Sequence, residues 1–233
     1  MSWNQSSYVS ADVRDVRVTA FLSKVYGWMF LGLLITAGTA LAVASSPVLI
    51  ETFILNRILF WILILGQLGI VFYLSARVEH LSAGAAAGLF MLYSAMVGVT
   101  SSVIFLVYTG ASIVSAFMIA GTMFGAMAVF GTLTKRSLAG VGQFMFMGLI
   151  GLIIASIVNL FWLNSALYFV ISVVGVIVFT GLTAWDAQRL KQMAVALPDG
   201  RVGSYAVVGA LSLYLDFINL FFFILRLFGG RRN

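Results

Sequence analysis

The stretch Ala206–Phe228, AVVGALSLYLDFINLFFFILRLF, is apolar but for Ser212, Asp216, Asn219 and Arg226. As a helix it rises about 35 Å, more than the roughly 30 Å of a bilayer's hydrocarbon core. Asp216 stands near its middle. A carboxylate at that depth costs at least about 2.5 kcal/mol to insert, so it is paired, protonated or turned toward water inside a bundle. Ser212, Asp216, Asn219, Phe223 and Arg226 recur every three or four residues, which puts them on one helix face. That face is polar except at Phe223 and avoids lipid.

The rest of the chain has the same character. Of 233 residues, 62% are hydrophobic and 9% charged, with a mean hydropathy of +1.11. Too few charges remain to cover a soluble globule of this length. Six further apolar segments of spanning length precede the first, at Phe21–Ser45, Phe53–Ala76, Leu81–Tyr108, Ser112–Leu133, Gly140–Trp162 and Ser165–Trp185. The expected fold is an all-α polytopic membrane helix bundle of seven transmembrane helices. Its expected organisation is a polar cytoplasmic N-terminal segment over residues 1–20, a transmembrane domain over 21–228 and a basic tail over 229–233. The first twenty residues lack an apolar core of the signal-peptide type, so the first span is expected to act as its own targeting signal. Cysteine is absent, which excludes disulfide and thiolate chemistry.

Basic residues set the orientation. A cytoplasmic N-terminus puts Arg14, Arg17, Lys24, Arg77, Lys135, Arg136, Arg189, Lys191 and Arg201 inside, leaving Arg57, Arg226, Arg231 and Arg232 outside. The net charge of +6 thus reads as orientation, with no nucleic-acid partner. A re-entrant last helix would improve the count, but twenty-three residues suffice for a full crossing, which is the expectation. Gly84/Gly88 and Gly121/Gly125 have the G-x-x-x-G spacing that lets helices approach closely, and are expected to pack within the chain. A monomer in the bilayer follows.

Other ionisable groups sort by depth. Arg77 ends the second segment and Asp186 ends the sixth, so both are expected at the cytoplasmic level, where Arg77 is either an ion-pair partner or a snorkelling cation. Asp186 is alternatively bridged to Arg189 on its own helix. Gln67 shares a face with Arg77, as a lining residue or as an interhelical hydrogen bond. His80, in a loop beside Glu79, reads as solvated, and nothing resembles a transition-metal site.

The run ALSLYLDFINLFFFILRLFG at Ala210–Gly229, with WDAQRLK at Trp185–Lys191 and the glycine-rich seven-span pattern, resembles the transmembrane Bax inhibitor motif family. The resemblance covers essentially the whole chain and is most specific in the last two helices. It implies a seven-helix fold with the last helix central, wrapped by the other six. It further implies a pH-sensitive calcium leak gated by two aspartates, which fall on Asp186 and Asp216, with Arg77 as the arginine that engages them in the closed state. Family members often carry an acidic residue in the second helix, where this chain has Gln67.

Physics gives such a pair its behaviour. Two close carboxylates in a low-dielectric site share a proton and titrate as one unit. Once deprotonated they repel each other, yet form a hard-oxygen site suited to Ca²⁺. The expected function is therefore a cation leak with Asp186, Asp216 and Arg77 as sensor and gate, and Gln67, Ser212 and Asn219 as candidate lining. Calcium is its permeant or bound ion, with Asp186 and Asp216 as the candidate ligands. Ser94, Gly98, Ser101 and Ser102 are further lining candidates. A proton-coupled transporter using the same carboxylates, or a non-conducting modulator of other membrane proteins, remains the alternative. An intramembrane aspartyl protease is disfavoured because Asp216 follows Leu213-Tyr214-Leu215 instead of a glycine motif, so no enzyme and no cofactor is expected. Short loops and compact ends point to a bacterial inner membrane.

Overall fold

The computed structural model describes residues 5–232. Among the described residues, seven helices are long and apolar enough to cross a membrane, which makes the protein an all-α polytopic membrane bundle. They are α1 (Gln5–Ala44), α2 (Arg57–Arg77), α3 (Ala83–Ser101, carried on by Val103–Val107), α4 (Gly110–Leu133), α5 (Ala139–Phe161), α6 (Ser165–Ala196) and α7 (Val202–Phe228). Side-chain caps start several of them. Asn56 accepts from Leu59 N at 3.1 Å, Thr109 from Ser112 N at 3.3 Å and Asn164 from Ala166 N at 2.9 Å. Such caps satisfy amides that have no carbonyl four residues back, which is what permits the two very short turns at Thr109 and Asn164. In α3 the Thr100 hydroxyl bonds back to the carbonyls of Met96 and Val97, at 3.3 and 3.1 Å. Back-bonding of this kind competes with the helix ladder, and the helix breaks two residues later at Ser102.

Three boundaries differ from expectation. The first helix begins well before Phe21, because α1 runs unbroken from Gln5, and Arg17 donates to the Leu197 carbonyl at 3.1 Å. Helix α6 continues eleven residues past Trp185, to Ala196. Asp186 therefore lies about 15 Å from the helix end by helical rise, not at it. The run QRLK, Gln188–Lys191, is the polar continuation of the same helix. Finally, α7 begins at Val202 and is one continuous helix of 27 residues, about 40 Å long.

Two compact units divide the chain, one comprising residues up to Ser101 with Arg189–Leu211, the other Ser102–Gln188 with Ser212 onward. In the first, α1 packs on α3, where Thr36 donates to the Ser94 carbonyl at 2.9 Å and a Cβ on Gly98 would run into Thr36. Gln67 of α2 donates to the Met96 carbonyl at 3.1 Å and to the Thr100 hydroxyl at 3.2 Å, both on α3. The start of α7 is tied to the turn after α2, with the Arg201 guanidinium on the Glu79 carbonyl at 2.7 Å. In the second unit, Phe117 and Phe124 of α4 meet Phe217 of α7 edge-on at 5.3 and 5.6 Å. The tail after α7 is strapped to the end of α3, with Thr109 N on the Gly230 carbonyl at 3.1 Å and Arg232 N on the Val107 carbonyl at 2.9 Å.

The glycines at close approaches are not those of the G-x-x-x-G spacings. Gly84, Gly88, Gly121 and Gly125 face open space. Tight contacts occur instead at Gly98, at Gly131 against the Ala184 backbone, and at Gly142 against the Trp185 ring. Spacing along one helix does not say which face the neighbour occupies. Burial does single out α7: 67% of its most apolar window is buried, against 6% for α2 and α5, whose large side chains face outward.

Candidate functional site

The stripe read from the sequence lies on α7 in the second unit and meets a matching face of α6. A helix brings residues seven apart back to nearly the same face, so Tyr168, Gly175, Phe179 and Asp186 line one side of α6. Contacts fix the register. The Arg226 guanidinium stacks over the Tyr168 ring at 5.4 Å, Phe223 stacks on Phe179 at 5.8 Å, and a Cβ on Gly175 would run into the Phe223 ring. As the chain climbs α6 from Tyr168 to Phe179, its partner on α7 descends from Arg226 to Phe223, so the helices are antiparallel. Seven residues beyond Phe179 is Asp186, and seven before Phe223 is Asp216. Farther along the same helices, Gly209 makes room for Leu190, which brackets the pair from the other side. Asp186 and Asp216 therefore stand within about one turn of the same level, on facing sides of α6 and α7.

Both are buried, Asp186 at 7% and Asp216 at 5% exposure. Both interact with neighbours, while Oδ1 of Asp186, Oδ2 of Asp216 and Nε of Arg189 are sealed atoms that no hydrogen bond reaches. Arg189 is three residues past Asp186, one turn along the same helix. Two carboxylates held in so little water interact far more strongly than at a surface.

The remaining faces of α6 hold this segment in place. Ala184 abuts Gly131 of α4 and Trp185 lies on Gly142 of α5. Gln188, buried, accepts from Leu138 N at 2.8 Å and donates to the Arg136 carbonyl at 2.9 Å, clamping the α4–α5 turn. Gln188 was not singled out in the sequence because the sixth apolar segment ends at Trp185; on the longer helix it stands one half-turn from Asp186.

Other candidates fall as follows. Ser212 is half-buried one turn before Asp216. Asn219 donates to the Leu215 carbonyl at 2.8 Å and also lines a cavity of about 410 Å³ bounded by α5, α6 and α7. Arg77 is exposed at the C-terminal end of α2, in the unit that does not hold the two aspartates. Gln67 is engaged by α3, the interhelical hydrogen bond among the two expected roles. Ser94 bonds back to the Phe90 carbonyl at 2.9 Å and Gly98 sits against α1, so both serve α1–α3 packing.

The sequence matches the family described as inhibitor of apoptosis-promoting Bax1 over residues 18–233. It is 50% identical over 216 residues to inner membrane protein YbhL of Escherichia coli K12, covering 91% of this chain and 92% of that one. An uncharacterized protein of Borreliella burgdorferi is 45% identical over 215 residues, covering 91% and 93%. One from Rickettsia prowazekii is 40% identical over 224 residues, covering 94% and 93%.

Proposed function

This chain belongs to the Bax1-inhibitor family of membrane proteins, and on that premise we propose that it is a pH-sensitive cation leak, with calcium as the permeant ion, gated by Asp186 and Asp216. The observation that supports the reading is the register of α6 against α7, from which two buried carboxylates come within about one turn of the same level on facing sides. With one proton between them, the carboxylates attract each other through a hydrogen bond and hold the helices together. Loss of that proton leaves two like charges in a poorly screened site, and the helices are driven apart or bridged by a hard cation. Proton and calcium thus compete for the same oxygens, which makes the gate sensitive to both.

Arg77 biases the closed state, Ser212 and Asn219 line the route, and Gln67 holds α2 on α3 at the place where family members often carry an acid. The protein is not an enzyme in this reading. It sits in a bacterial inner membrane as a monomer, N-terminus in the cytoplasm, the location following the name of its Escherichia coli relative.

The test is calcium flux into liposomes containing only this protein, measured across pH for the wild type and for Asp216→Asn. Asn keeps shape and hydrogen bonding but cannot titrate. Flux that rises with pH in the wild type and is flat in the mutant supports the proposal. No calcium flux in the wild type at any pH overturns it.

A further inference from the structure

We propose that the cavity bounded by α5, α6 and α7 is a binding site for an anionic phospholipid of the surrounding bilayer, with its phosphate on Arg226 and an acyl chain along the apolar slot. At about 410 Å³ the cavity lies within the usual range of ligand pockets, roughly 300–1,000 Å³. On α5 its lining runs from Leu149 to Leu160, a rise of about 16 Å, long enough to lie along much of an acyl chain. One end is aliphatic, with Leu149, Leu152 and Ile153; the other carries Asn159, Tyr168 and Arg226. Ile153 is itself exposed, on a helix whose outer face is apolar, so the slot opens onto lipid and not onto water.

Charge decides which lipid. Arg226 is exposed, and the centre of its guanidinium lies over the Tyr168 and Phe223 rings, at 5.4 and 5.5 Å to the ring centres. A guanidinium has a planar N–H fork suited to a phosphate, and this one stands at the polar end of the slot. The acidic side chains in this unit's sequence are Asp186 and Asp216 alone, and Asp216 is ten residues, about 15 Å, along the helix from Arg226. Among the described residues, that end thus meets no competition from Asp216. Its charge is instead reinforced, because Tyr108 hydrogen-bonds Tyr168 and pairs with Arg231 through an isolated β-bridge. Asn159, whose side-chain oxygen accepts from Asn164 N at 3.3 Å, has amide hydrogens left for the same headgroup. A polar end with an arginine fork and an apolar slot open to the bilayer suit one amphiphile of negative charge.

The experiment measures lipid retention by native mass spectrometry of the purified full-length protein, titrated with dioleoyl phosphatidylglycerol, dioleoyl phosphatidylcholine or inorganic phosphate. One arginine near a membrane surface contributes about 1 kcal/mol toward an anionic lipid, a preference of about fivefold. The wild type should prefer phosphatidylglycerol by about that factor, Arg226→Gln should lose the preference, and Arg226→Lys should keep part of it. Ile153→Trp, which fills the slot from its open side, should lower retention of both lipids. Equal retention of the two lipids by the wild type overturns the proposal whether or not any variant folds. So does an unchanged preference in Arg226→Gln, and displacement of bound lipid by millimolar phosphate would show an anion site without a chain.

Discussion

Gln188→Ala should destabilise the protein by an amount that can be worked from two hydrogen bonds. The side chain accepts from Leu138 N and donates to the Arg136 carbonyl, at 2.8 and 2.9 Å. The two partners are not equivalent. Arg136 is exposed, so its carbonyl regains water when the amide is removed. Leu138 is buried, and its N–H is left in an apolar site where a lost partner costs about 1–3 kcal/mol. Taking about 2 kcal/mol, and about 2–4 °C per kcal/mol for a chain of this size, Tm should fall by roughly 4–8 °C. Gln188→Glu keeps the acceptor but sets a second oxygen against the Arg136 carbonyl, so it should fall as well. The assay is thermal unfolding in detergent, followed by loss of monomeric protein on size-exclusion chromatography. A Gln188→Ala protein that melts with the wild type would refute the clamp.

Gly131→Ala brings a methyl group into the Ala184 backbone, two residues from Asp186. Overpacking of this kind costs about 1–3 kcal/mol, so Tm should drop while Gly121→Ala, whose Cβ would meet nothing, leaves it unchanged. Tyr108 gives a pH prediction: burial first, then the Tyr168 hydroxyl, hold its phenol above the ordinary value, against the pull of Arg226 and Arg231. A folded value above the unfolded one of about 10 means that the stabilisation is complete below about pH 10 and is lost as pH rises through the folded value. Protease cleavage of the tail should therefore increase only in the alkaline range, and Tyr108→Phe should remove that step; an increase near neutrality would contradict it. A cysteine placed after Arg232 should react with an impermeant thiol reagent from outside intact cells, and one at Ser137 should not. Labelling of the tail only after permeabilisation would reverse the orientation or return the tail to the cytoplasm.

Hydropathy and length made the seven helices legible in the sequence, because each span must supply about twenty apolar residues whatever it packs against. Asp216 was legible for the same reason, as a charge where the bilayer tolerates few. Asp186 was half legible. Its helix runs on through charged residues, where hydropathy carries no signal, so the sequence placed it at a helix end while Asp216 stood mid-helix. The contacts that remove this offset, Phe179 on Phe223 and Leu190 at Gly209, pair residues more than eighteen positions apart, which no periodicity within one helix reveals. The glycine spacings failed likewise. Gly131 and Gly142 stand alone in sequence and matter because of what α6 presents to them, whereas Gly121 and Gly125 share a face that meets nothing.

The most direct test of the central claim is a double-mutant cycle on the pH dependence of cation flux, using Asp186→Asn, Asp216→Asn and the double variant in liposomes. If the two carboxylates share one proton as a unit, each single substitution should abolish the pH step, and the double variant should do no more than either. Two separate steps, each removed by one substitution and additive in the double variant, would show carboxylates that titrate independently and would contradict the gate.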